Sequence, residues 1–227
     1  MPVLAIDTSG SYCSVAVLGA HGAITHAESA GAGDHFEQLP GLVAEVCRQA
    51  TVELGELRQL RVGIGPGSFT GLRIGLSFAK GVAVAHRIPI VGLSSFLGIA
   101  YSAFSRQEAS VKELAVVSDA RRDEVFFGSY ARAAGGGAVE KEPPGIVGVH
   151  EVAAWQAAQI GRSVCSPVRD FLPVGLAEIQ TEPRIAEGFL MVEGVNWPPF
   201  AIDQVALLEP NYLRAVAARS IEERRGT

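Results

Sequence analysis

Eleven residues restrict the fold of this chain most: Gly65-Pro66-Gly67-Ser68-Phe69-Thr70-Gly71-Leu72-Arg73-Ile74-Gly75, four glycines and a proline set between a β-type apolar run and a long apolar helix pattern. Such a junction is a strand-to-helix corner. Glycine there permits positive φ or a close approach of two backbones, and a helix N-terminus offers unpaired N–H groups to an anion. The segment is therefore either a phosphate cradle or a packing corner. A Walker A loop places Lys and then Ser or Thr after its last glycine, where this chain has Leu72 and Arg73. A dinucleotide fingerprint wants glycine at the position of Thr70 and an acidic residue about twenty positions on, where His86-Arg87-Ile88-Pro89 stand. Neither phosphate pattern fits.

The helix pattern after the corner favours packing. Gly71, Gly75, Ala79 and Ala83 recur every four residues and form a ridge almost without side chains, which another helix can approach closely. Leu72, Ile74, Leu76, Phe78, Val82 and Val84 make the rest of the surface apolar, so the helix must be covered on most sides. One side packs on a sheet; the other is buried within the subunit or covered by a second chain. We expect a second chain. Upstream, Asp34 and Glu37 have capping-box spacing ahead of Phe36, Leu39, Val43, Val46 and Ala50, which predicts a helix over about 34–52 with a kink at Pro40.

The remaining pattern is α/β. Val3 to Ile6, Ser14 to Leu18 and Ala23 to Glu28 read as an antiparallel meander. Strands are expected at 60–64 and 88–91, a helix at 94–105, and a strand pair over 113–118 and 124–130. Gly135-Gly136-Gly137, Pro143-Pro144 and Gly145 read as a flexible loop at a subdomain boundary. Beyond it we expect a strand near Ile146, a helix over 151–160, a strand near Val164 and a helix over 202–208. The order β-β-β-α-β-α is that of a ribonuclease-H-like, actin-type lobe.

Candidate chemistry is sparse. Asp7-Thr8-Ser9-Gly10 occupies the place of the first phosphate hairpin of an actin-type ATPase, but its glycine stands one position late. Asp7, Ser9 and Gly10 are therefore weak cofactor candidates, and an Asx turn is the alternative. The five histidines show no HExxH or HxxxH spacing, so no metal site is expected, and His35 reads as a polar partner at a helix end. No GxSxG elbow accompanies Ser68. Asp119 and Asp123 with Arg121 and Arg122 form a solvated turn or a charged contact surface. Cys13, Cys47 and Cys165 are widely spaced, which predicts buried thiols rather than a disulfide or zinc site. A net charge of -5 argues against direct grip on nucleic acid. Neither a secretory leader nor a bilayer-length apolar run is visible, so the cytoplasm is expected and no membrane partner.

Leu4 to Ser9, His35 to Pro40, Gly65 to Gly75, Asp119-Ala120-Arg121 with Glu124-Val125, and Pro210-Asn211-Tyr212-Leu213-Arg214, in that order, resemble the TsaB family of bacterial tRNA threonylcarbamoyladenosine biosynthesis proteins, once grouped with M22 glycoprotease-like proteins. The resemblance runs from residue 4 to residue 214 and is weak between about 135 and 205. It implies two actin-like (ASKHA) lobes, mixed sheets flanked by helices, with residues 1–105 forming the first and 106–227 a reduced second lobe whose end is able to pack back on the first. It further implies a subunit without activity of its own, paired with a TsaD-like catalytic subunit and a TsaE-like ATPase. Their complex moves threonylcarbamoyl to the adenosine beside the anticodon of tRNAs reading codons that begin with A. ATP and metal are then expected on the partner subunits and none on this chain, and tRNA contact comes only through the complex. The partner surface, used for a homodimer when the chain is isolated, is expected at His35, Phe36, Leu39, Val43, Gly71, Leu72, Gly75, Ala79 and Ala83. The metal-binding HxxxH of TsaD is replaced here by His35-Phe36-Glu37-Gln38-Leu39. An ATP-dependent phosphotransferase using Asp7 is the alternative, and a metalloprotease a more distant one.

Overall fold

The computed structural model describes residues 1–29, 35–107, 110–121, 124–134, 136–158, 162–166, 184–192 and 202–213. Its frame is two mixed sheets. Strands β1 (Val3–Asp7), β2 (Ser14–Leu18) and β3 (Ile24–Glu28) form the expected antiparallel meander. The chain then crosses through α1 (His35–Ala50) to β4 (Gln59–Gly63), parallel to β1, and through α2 (Phe69–His86) to β5 (Ile90–Leu93), parallel to β4. The sheet order is β3-β2-β1-β4-β5. Side chains alternate across it. Leu4, Ile6, Val15, Val17, Leu60 and Val62 meet α1 and α2 on one face. Ala5, Ala16, Val91 and Leu93 meet α3 (Ser95–Arg106) on the other. α1 runs through Pro40 and stops at Ala50, where Thr51 turns to a φ of 54°. Asp34, its expected cap, lies outside the described residues.

The second sheet repeats the opening of the first. β6 (Glu113–Arg121), β7 (Glu124–Arg132) and β8 (Ala138–Gly148) are antiparallel neighbours, followed by α4 (Val149–Ala157) and β9 (Arg162–Cys165), which returns parallel to β6. The order β8-β7-β6-β9 matches β3-β2-β1-β4 strand for strand. The fold is thus α/β with two mixed sheets flanked by helices, as expected of an actin-like chain with a reduced second lobe. Most of the stretch expected to be a flexible loop is strand instead. β8 tolerates Pro143 and Pro144 because it is an edge strand, where a missing N–H breaks no inner ladder. The register slips there, so that Gly128 alone faces the two prolines.

Helix α5 (Ile185–Met191), which the sequence pattern does not announce, returns to the first sheet. Ile185, Ala186 and Phe189 join Ala5, Ala16, Phe96 and Ile99 in one core beside α3. The crossing is close: a Cβ at Gly188 would overlap the Gly98 carbonyl oxygen. Arg61 on β4 donates to the carbonyls of Phe189 (2.5 Å) and Val192 (3.1 Å), satisfying acceptors that the end of α5 leaves open. A 3-10 turn over Ile202–Leu207 then lies along α2, where Lys80 donates to the Ala206 carbonyl at 3.0 Å. All three cysteines are buried thiols outside any disulfide, and burial pushes the Cys13 thiol up to about 12. No helix among the described residues is long and apolar enough to cross a membrane.

Candidate functional site

At the end of β1 the Asp7 carboxylate is fully buried and internally satisfied. Its Oδ1 accepts from the Ser9 amide (2.9 Å) and hydroxyl (2.7 Å), and its Oδ2 from the Ser95 hydroxyl at the start of α3 (2.6 Å). This is the Asx turn, tied across the sheet to a second element. Burial pushes the carboxyl up, and the hydrogen bonds of Ser9 and Ser95 and the nearby His35 pull only part of that back. His35 is the helix-end polar partner expected of it, with Nε2 3.1 Å from the Gly10 carbonyl oxygen.

The glycine corner at the start of α2 is tied to the hairpin rather than open to a nucleotide phosphate. The Ser68 amide donates to the Ser9 carbonyl at 2.7 Å, and the Gly71 amide donates to Ser68 Oγ at 3.1 Å, so N–H groups a phosphate would need are already spent. A Cβ at Gly67 would overlap the Ser9 carbonyl oxygen. Asp7 and Ser9 are buried and Gly10 half-buried. Among the described residues no three His, Cys, Asp or Glu side chains gather as a metal site.

The raised Asp7 carboxyl sets a pH dependence. A carboxyl whose folded value lies above its ordinary 3.8 favours folding most below that value, and the benefit is lost as the pH rises through the raised folded value. Asp7→Asn keeps acceptor and donor groups for Ser9 and Ser95 but cannot titrate. Thermal melts of the two chains from pH 4 to pH 8 are expected to diverge, with the variant gaining on the parent as pH rises. Parallel curves would refute this.

The small-residue ridge of α2 faces inward, which corrects the expectation that it meets a second chain. A Cβ at Gly71 would overlap the Thr8 carbonyl oxygen and one at Gly75 the Thr8 hydroxyl, which itself donates to the Gly71 carbonyl at 2.7 Å. Leu72, Ala79 and Ala83, like Leu39 and Val43 of α1, are enclosed in this subunit's own core. Backbone against backbone won because β1 ends beneath α2, and only glycine lets the two touch. Of the residues expected at the partner surface, Phe36 is 74% exposed and His35 half-buried, and the others are buried, Leu39 among them at the floor of an outer groove.

The outer faces of the same two helices form a groove of about 610 Å³. α1 contributes Phe36, Leu39 and Pro40, and α2 contributes Phe69, Thr70, Arg73, Ile74, Ser77 and Phe78. Residues 69, 73 and 77 follow one another down the side of α2 turned away from Gly71 and Gly75. At the rim Arg73 stacks 3.8 Å above the Phe69 ring and donates from Nε to the Tyr212 hydroxyl at 3.0 Å, while Tyr212 packs on Phe69 with centroids 5.1 Å apart. The Asn211 amide donates to the Ile64 carbonyl at 2.7 Å, anchoring the tail beside Gly65, whose φ of 104° needs glycine. Sequence reasoning missed Phe69 and Arg73, although exposed aromatic residues and arginine are the types enriched at protein interfaces.

Known proteins share this architecture. The family model for TsaD, tRNA N6-adenosine threonylcarbamoyltransferase, matches residues 27–141. The tRNA threonylcarbamoyladenosine biosynthesis proteins TsaB of Escherichia coli and Haemophilus influenzae are 34% and 33% identical over 132 residues, which is 58% of this chain and 56% and 55% of theirs. The chain thus spans little more than half the length of the curated relatives it matches. The solved structure of YeaZ from Pseudomonas aeruginosa superposes with a TM-score of 0.76 at 27% identity, over 93% of this chain and 99% of that one.

Proposed function

Because the chain belongs to the tRNA N6-adenosine threonylcarbamoyltransferase family and within it to the TsaB group, we propose that it serves tRNA threonylcarbamoyladenosine biosynthesis as a subunit that binds a partner and does no chemistry alone. The observation that carries this reading is the pairing of an open apolar groove on α1 and α2 with a β1 hairpin whose Asp7 carboxylate is buried and bonded to Ser9 and Ser95. The partner is a TsaD-like subunit, which holds the catalytic groups, ATP and metal, with a TsaE-like ATPase joining the pair. Transfer is to the adenosine beside the anticodon of tRNAs that read codons beginning with A. The tRNA meets the complex rather than this acidic chain, because a net charge of -5 cannot by itself neutralise a phosphate backbone. In isolation two copies join through the same groove, and the assembled protein works in the cytoplasm.

Size-exclusion chromatography of the chain mixed with the TsaD-like subunit of the same cell tests the reading. A shared peak is expected, together with restored threonylcarbamoyl transfer that neither protein shows alone. Calorimetry of the isolated chain with ATP and magnesium is expected to show no heat. Micromolar nucleotide binding would overturn the accessory role and favour the phosphotransferase.

A further inference from the structure

A second cavity, of about 180 Å³, opens on the other lobe between β7, β8 and α4 and shares no residue with the α1–α2 groove. Phe127, Val147, Val152 and Trp155 make its walls, and Glu142 and Glu151 are exposed at its edge. Trp155 meets Phe127 edge to face, with centroids 5.6 Å apart and planes at 74°. Glu151 Oε1 accepts from the Gly148 amide at 2.9 Å, which leaves Oε2 for a ligand. Among the described residues no lysine or arginine pairs with either glutamate.

We propose that this cavity receives the arginine side chain of a protein that docks on the second lobe. Its volume is below the roughly 300–1,000 Å³ of small-molecule sites, so a single side chain suits it better than a nucleotide. Aromatic walls attract a cation, and two carboxylates at the mouth neutralise it. A guanidinium fits both better than an ammonium does, because it is planar, weakly hydrated and stacks on an indole while donating sideways. The methylene stem rests against Val147 and Val152. This assignment is independent of the groove and of its partner.

The test uses N-acetyl-arginine methylamide as the probe and Trp155 fluorescence as the readout. The chain has two tryptophans, so a Trp197→Phe background isolates the signal. Saturable quenching is expected, weakened about two- to fivefold by Glu142→Gln or Glu151→Gln, the range of a single exposed ion pair. Glutamine keeps the Gly148 cap, so both variants should melt like the parent. The neutral citrulline analogue is expected not to bind, and the lysine analogue to bind several-fold more weakly. Absence of saturation, equal binding of the citrulline compound, or lysine binding as tight as arginine would each overturn the assignment.

Discussion

Adding one methyl group at Gly71 is expected to cost the chain about 3 kcal/mol, near the upper end of the usual overpacking range. Helix propensity alone would favour the alanine by roughly 0.5–1 kcal/mol, so even the sign of the effect distinguishes the two considerations. The methyl group would land on the Thr8 carbonyl oxygen, a backbone atom held by the β1–β2 hairpin and unable to swing aside. Thermal unfolding should drop by about 6–12 °C for a chain of this size. Gly75→Ala meets the Thr8 side chain instead, so Thr8→Ala should rescue it, and the same change should not rescue Gly71→Ala. An unchanged melt with loss of partner binding would restore the ridge to the surface. Bulky residues at Gly75 or Ala79 therefore test the fold, where a surface ridge would have made them tests of the interface.

The second large effect concerns binding. Phe36→Asp places a charge on a ring that is 74% exposed at the groove, where partner burial would have to desolvate it. If the α1–α2 groove is the docking face, affinity for the TsaD-like subunit falls by about 2 kcal/mol or more, roughly thirtyfold, as for other hot-spot aromatics. The fold should hardly notice, since exposed substitutions usually stay within about 0.5 kcal/mol. Calorimetric titration of parent and variant, each first shown to melt alike, measures the difference. An unaltered dissociation constant would exclude the groove.

Local signals carried far in the first lobe. The meander, α1 and α2 follow from alternation, 3.6-residue spacing and turn chemistry, all of which act within a few residues. Burial partners do not. The periodicity of Gly71, Gly75, Ala79 and Ala83 says that a bare stripe is covered, but its cover, Thr8, lies 63 residues from Gly71. Arg73 and Phe69 went unread for the same reason: their stack needs Tyr212, 139 positions away from Arg73. The prolines of β8 are turn signals locally and became strand only because the sheet gave them an edge. α5, seven residues long, has too few turns to declare a period, and its helical state rests on tertiary packing against α3 and β1.

The same α5 bears on how the chain is made. The first sheet is translated early, yet its back face stays only partly covered, by α3, until residues 185–192 emerge and Arg61 finds their carbonyls. About eighty residues separate the end of α3 from that moment, roughly 4–16 s at ordinary elongation rates. During that interval the nascent chain carries a partly exposed apolar sheet, open to chaperones and to other half-made copies. Codon usage or pausing within 107–184 should therefore control the yield of folded protein more strongly than the same changes placed before residue 60.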